Sequence, residues 1–160
     1  MALNKFIFFF LGIWLFASCT SKPYFEEYVE IPPSGWSKDS IAKFEVKIED
    51  TISDFLIGIN LRNNNNYPFS NIYLFREIYS PKGLEFRDTM EFFLADAYGK
   101  WLGKGVGELK TNQWQFANRG LRFKRRGTYI FSFEQAMREE NLVGLEDIGI
   151  TIFKSESEKD

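Results

Sequence analysis

Few side chains in this 160-residue chain can make or break bonds. There is no histidine, and Cys19 is the one cysteine. Without imidazole, the Ser-His-Asp and Cys-His arrangements are closed, together with the commonest general base and the nitrogen ligands of zinc sites. One thiol can build neither a four-cysteine metal site nor an internal disulfide. What remains is carboxylate chemistry. Asp88, Glu91 and Asp96 fall near one another, and a glycosidase needs two such groups at a fixed separation across a cleft. Spacing along a chain cannot supply that separation, and acidic residues occur here at ordinary density. No catalytic residue, cofactor or bound metal is expected, although a carboxylate calcium site stays chemically open.

Binding chemistry is better represented. Arg119, Arg122, Lys124, Arg125 and Arg126 form the densest basic cluster. They could meet lipid phosphates or the acidic surface of a partner, or serve as a solvated strand face whose charges prevent edge-to-edge association. Trp36, Trp101 and Trp114 could stack on sugar rings; the competing reading places them in a core, where most rings of a β-rich chain go. Trp36, Trp101, Arg119, Arg122, Arg125 and Arg126 are thus the candidate interaction surface. Glycine alternates at Gly103, Gly105 and Gly107, but the stretch lacks the Gly-Lys-Ser/Thr ending of a phosphate loop and is followed by no helix signal.

Cys19 has the clearest chemistry. It follows a short basic start at Lys5, an apolar run over residues 6–16 and the small pair Ala17-Ser18. The apolar run is too short for a hydrocarbon core that takes about 20 residues, so residues 1–18 read as a cleaved signal peptide. Leu15-Phe16-Ala17-Ser18-Cys19 resembles the bacterial lipobox, with Phe16 at a position that usually holds leucine. In that setting the thiol is alkylated by a diacylglyceryl unit before cleavage, and Cys19 becomes the acylated first residue. Several acyl chains anchor a protein stably where one gives marginal binding. Thr20, rather than aspartate, after the cysteine points to the outer membrane. No acidic run directly follows, which favours the periplasmic face. The mature chain carries 19 basic and 22 acidic residues, a balance that offers nothing to nucleic acid.

Positioning these residues falls to strands. Residues 19–35 read as a lipid-anchored tether, more apolar in its second half than a free linker. A β-sandwich domain is expected over 36–154, followed by a polar tail, 155–160. Phe44, Val46 and Ile48 alternate with charged residues, and Phe55, Ile57, Ile59 and Leu61 form a second inward row with Asn60 and Arg62 facing out. Strands over 72–79 and 86–95 flank Ser80-Pro81-Lys82-Gly83, the residues of a tight turn. Shorter strands are expected over 113–116 and 121–124, then 128–135 and 148–153, with a helical turn over 136–141. About eight antiparallel strands predict an all-β fold, a single jelly-roll-like sandwich, with a closed barrel as the alternative.

The pattern Tyr28 to Pro32 with Gly35-Trp36-Ser37-Lys38-Asp39-Ser40 resembles the gliding-motility lipoproteins of the GldH type from Bacteroidetes. Ile59-Asn60-Leu61-Arg62-Asn63, Tyr67, Phe69-Ser70-Asn71-Ile72, Pro81, Gly83, Asp88-Thr89, Glu91, Gly99 to Gly103 and Gln135-Ala136-Met137-Arg138 match that family in order across nearly the whole mature chain. The resemblance implies a non-enzymatic envelope lipoprotein needed for gliding. Its partners would be other gliding or type IX secretion envelope proteins, with no nucleic acid and no small-molecule substrate. The only site residue the family offers is the lipid-bearing Cys19. A glycan-binding envelope lipoprotein is the alternative, motivated by the tryptophans.

Overall fold

Alternation of apolar and charged residues drives the architecture. In β3 (Ile41–Ile48) every second residue is buried, and Lys43, Glu45 and Lys47 between them face water. Such a strand is stable only when a second apolar face covers it. The computed structural model describes residues 22–117 and 119–155. Besides β3 it contains β1 (Phe25–Glu30), β2 (Trp36–Ser37), β4 (Phe55–Asn63), β5 (Asn71–Ser80), β6 (Gly83–Phe93), β7 (Lys110–Gln115), β8 (Gly127–Gln135), β9 (Asn141–Leu142) and β10 (Leu145–Lys154). No helix occurs among the described residues.

Eight of these strands form two four-stranded antiparallel sheets, ordered β1-β10-β4-β7 and β3-β8-β5-β6; β2 and β9 pair as a small third sheet. Leaving out that small pair, the first strand bonds the last (β1 with β10) and the second the seventh (β3 with β8). The third bonds the sixth (β4 with β7), and the two middle strands β5 and β6 form a hairpin. This is one long antiparallel ribbon folded over itself, the jelly-roll arrangement. The sheets do not close into a barrel, so the sandwich expectation holds.

Between the sheets lie the alternate residues of both, among them Phe44, Ile59, Leu61, Leu74, Phe131 and Ile150, all fully buried. Aromatic edges meet faces, as in Phe44 against Phe133 with centroids 5.9 Å apart. Gly144 closes the turn into β10 with φ +82°, and a Cβ there would meet the Tyr67 backbone nitrogen at 2.2 Å. Only glycine fits that approach.

Three local expectations differ from the structure. Phe25–Glu30, placed in the tether, is an edge strand whose Val29 pairs with Ile148; the bonding β10 offers there outweighs the freedom of a linker. Residues 121–124 make no strand. Leu121 exchanges two backbone hydrogen bonds with Phe55, and the chain then departs so that Phe123 can enter the core. Residues 137–140 are bends rather than a helical turn, because the Gln135 side chain takes the Met137 amide and the Glu139 carbonyl as its partners. The signal peptide, Cys19 and residues 156–160 lie outside the described residues.

Candidate functional site

The two sheets end side by side at β6 and β7, and this flank of the sandwich is unlike the rest of the core. On β5 the inward row runs Ile72, Leu74, Arg76, Ile78, so a guanidinium sits where an aliphatic side chain belongs. The Arg76 side chain is 4% exposed. Its Nε donates to Asp88 Oδ1 at 2.8 Å, its Nη2 to the other oxygen, and its Nη1 to the Phe116 carbonyl at 3.0 Å. The guanidinium lies 4.4 Å from the Phe116 ring centroid, with the Phe86 and Phe92 rings near 5.7 and 5.8 Å. Arginine is suited to this setting because it is weakly hydrated and bonds a carboxylate through two parallel N–H groups.

A bulge makes that pairing. The β5–β6 hairpin begins in one register at Ser80↔Gly83 and continues in another from Ile78↔Phe86, leaving Glu85 as the extra residue. The shift turns Phe86 and Asp88 inward, a re-aiming that bulges often perform.

Beside the bulge opens a cleft of about 270 Å³. Phe86, Phe116, Phe123 and Tyr129 supply aromatic walls, and Glu85, Arg122 and Lys124 stand around it. Tyr129 is 1% exposed, and its hydroxyl is the one buried side-chain polar atom among the described residues without a hydrogen-bond partner. The Arg125 backbone amide approaches the hydroxyl without completing a bond. Burial, seconded by the Glu85 charge, raises the phenol above its ordinary value.

The basic cluster borders this cleft. Arg122 pairs with Asp54 at 2.8 Å, and Arg125 reaches Glu85 only at 3.8 Å. Arg119, Lys124 and Arg126 are exposed and have no ion pair among the described residues. The chain turns back at Leu121 and buries Phe123, which forces the charged residues on either side outward. Four basic side chains of the sequence reading, Arg119, Arg122, Arg125 and Arg126, therefore share one loop.

The tryptophans do not join them. Trp36 is 3% exposed and donates to the Ser40 carbonyl. Trp101 is half-buried and donates to Asn65. Trp114 packs on Phe92 with centroids 4.7 Å apart. None lines the cleft, and their separate packing removes the sugar-stacking platform on which glycan binding rested. The three carboxylates are also occupied separately: Asp88 by Arg76, Glu91 by the Asn71 amide, and Asp96 by the backbone amides of Tyr98 and Lys100. Asp88 and Glu91 have opposite parity on β6 and so face opposite sides of the sheet. Among the described residues no cluster of three or more acidic side chains could hold a metal ion.

Arg76, Tyr129 and the bulge at Glu85 were missed by the sequence reading. Arg76 left a signal, a charge inside an apolar row of period two. Tyr129 left none, since it alternates with Phe131 and Phe133 like any core ring.

The family described as GldH lipoprotein matches residues 23–152. A protein of Christiangramia forsetii, named a gliding motility lipoprotein GldH homolog, is 38% identical, covering 98% of each chain. The gliding motility lipoprotein GldH of Flavobacterium johnsoniae is 35% identical over 93% of this chain and 95% of its own. Among solved structures, the coat protein of tobacco streak virus aligns over 88% of this chain and 95% of its own with TM-score 0.27 and 11% identity.

Proposed function

The chain belongs to the GldH lipoprotein family, and from that membership we propose that it is a non-enzymatic component of a bacterial gliding apparatus. A member of a lipoprotein family is a lipid-anchored protein of the cell envelope. The observation that carries the gliding role is the end-to-end likeness to two proteins named for gliding motility, at 38% and 35% identity. In this reading Cys19 bears the lipid and the sandwich faces the periplasm from the outer membrane. Its part is accessory or assembly-related, through contact with other gliding or type IX secretion proteins. The basic loop of Arg119, Arg122, Arg125 and Arg126 is the surface best placed for such contacts. Exposed and joined to a rigid sandwich, it offers charge without chemistry.

Deletion of the gene from its host tests the role. Loss of colony spreading and of surface adhesin movement is expected, with recovery on return of the gene and none with Cys19→Ala. Unaltered spreading and adhesin movement in the deletion strain overturns it. Crosslinking pull-down of the membrane-bound protein, with Cys19→Ala as control, then identifies the partners by mass spectrometry.

A further inference from the structure

The two outer faces of the sandwich differ in charge. On the β3-β8-β5-β6 sheet the outward positions carry Lys43, Glu45, Lys47, Glu77, Arg87 and Glu134, as expected of a face open to water. On β10, β4 and β7 the outward positions hold Gly149, Thr151, Gly58, Asn60, Gln113 and Gln115. The charges there, Arg62 and Asp147, are bonded to each other. Asn60 donates to the Thr151 hydroxyl at 2.8 Å, and these two residues are only 3% and 5% exposed although they point outward. Taking this face out of water therefore strands no charge and breaks few hydrogen bonds. Leu56 and Tyr28, on the same face, are 38% and 40% exposed.

The course of the chain ahead of β1 selects what covers this face. The backbone bends at Tyr24, and Lys22 and Pro23 line a trough of about 520 Å³ together with Asn60, Gln113 and Thr151. Cys19 lies three residues before Lys22, a reach of about 11 Å at full extension. Packed sheets stand about 10 Å apart and their outward side chains add about as much again, so one outer face is about 20 Å from the other. A lipid on Cys19 cannot pass around the domain to the charged face. It holds the uncharged face near its own leaflet. At that distance the face needs little affinity of its own, because the anchor has already brought the two together.

Resting on the lipid at Cys19 in the reading above, we propose that the outer face of the β1-β10-β4-β7 sheet lies on the headgroups of the membrane that holds the anchor. Leu56 and the Tyr28 ring enter the interfacial layer, where amphipathic rings are favoured. Lys22 meets lipid phosphates at the rim. The β3-β8-β5-β6 face then points away from the bilayer. The basic loop, which joins β7 of one sheet to β8 of the other, stays at the border between them, so both remain open to partner proteins.

The test uses the full lipid-anchored chain in vesicles of phosphatidylethanolamine and phosphatidylglycerol. Gln115→Cys on the proposed face, Ile52→Cys at the end of the sandwich and Glu45→Cys on the opposite face each alter an exposed residue. Each supplies the only free thiol, since the sulfur of Cys19 carries the lipid. A nitroxide on that thiol, probed by collision with a water-soluble nickel complex, reads its access to water. The Gln115 site is expected to be several-fold less accessible than the Glu45 site, with the Ile52 site between them. Thr111→Glu with Gln113→Glu sets carboxylates against anionic phosphates. This pair should return the Gln115 site to the Glu45 level without loss of vesicle flotation. A lowest value at the Ile52 site, which stands the domain on its end, overturns the proposal. Equal values at all three sites overturn it too, as does a Gln115 value that the two glutamates leave unchanged. Flotation, with Cys19→Ala as control, tests the anchor separately. A floating chain with an open Gln115 site removes the orientation alone; a chain that does not float removes the lipid and the orientation together.

Discussion

Two arginine–aspartate pairs in this protein have the same geometry and opposite burial. Arg76 and Asp88 meet between the sheets, where the arginine side chain is 4% exposed and the aspartate 35%. Arg62 and Asp147 meet on the outer face of the other sheet, where the aspartate is 3% exposed and the arginine 39%. Both arginines use Nε and Nη2 on the two carboxylate oxygens, and both lie over a ring, Phe116 in one case and Tyr28 in the other. A pair is therefore not one energetic object. The buried member depends on its partner, whereas the exposed member can turn to water. The comparison also explains the different surroundings. A guanidinium has five donors and a charge it cannot shed, and Arg76 receives a backbone carbonyl and three aromatic rings besides its aspartate. Asp147 has a single cation, and its bonding holds the Arg62 guanidinium above its ordinary value.

Stranding the buried member is the most direct way to break this picture. Asp88→Ala leaves Arg76 charged between the sheets and should cost about 3–5 kcal/mol in denaturant unfolding. Arg76→Met fills similar space without a charge and leaves an aspartate that water can reach, so it should stay within about 1.5 kcal/mol of wild type. Equal losses from the two variants would mean that burial does not set the asymmetry. On the outer face the order should reverse. Arg62→Ala strands Asp147 and is expected to cost about 2–3 kcal/mol, with Asp147→Ala costing less.

How much of this could be read from the sequence depends on the distance over which each feature is encoded. The inward rows of β3, β4, β5 and β8 are local, and alternation alone places Phe44, Ile59, Leu74 and Phe131 in the core. The charge at Arg76 breaks such a row and is visible as a break. Its partner is not visible, because a tight turn at Ser80–Gly83 without a bulge would set Arg76 opposite Arg87. The one-residue shift at Glu85 decides the register, and nothing around Glu85 announces it. Strand β1 was hidden for a similar reason: its Val29 bonds Ile148, more than a hundred residues on. The basic loop was legible as a cluster but not as a loop, since Leu121 and Phe123 imitate a strand until the structure shows that only Leu121 has a bonded neighbour. The cleft was not legible at all. It exists because rings from β6, β8 and the 116–123 segment converge.

A third ion pair completes the comparison from the exposed side, and it should give the smallest effect. On the outer face of the second sheet, Glu77 accepts from the Tyr79 hydroxyl and from Arg87 Nε, both at 2.6 Å. The Tyr79 hydrogen bond, ahead of the Arg87 charge, holds this carboxyl below the usual glutamate range. A carboxyl depressed in the folded state contributes stability that is complete above its unfolded value and disappears as the pH falls through the folded one. Tyr79→Phe removes the larger of the two favourable contacts and keeps the ring. The variant should melt slightly below wild type at about pH 7, and the gap should close as the pH falls through the folded Glu77 value. Exposed ion pairs are worth little because water competes for both members. A neutral-pH loss as large as that of Asp88→Ala would mean that bonding geometry, rather than burial, governs all three pairs. A small loss that vanishes in acid would extend the same ordering from the interior to the surface.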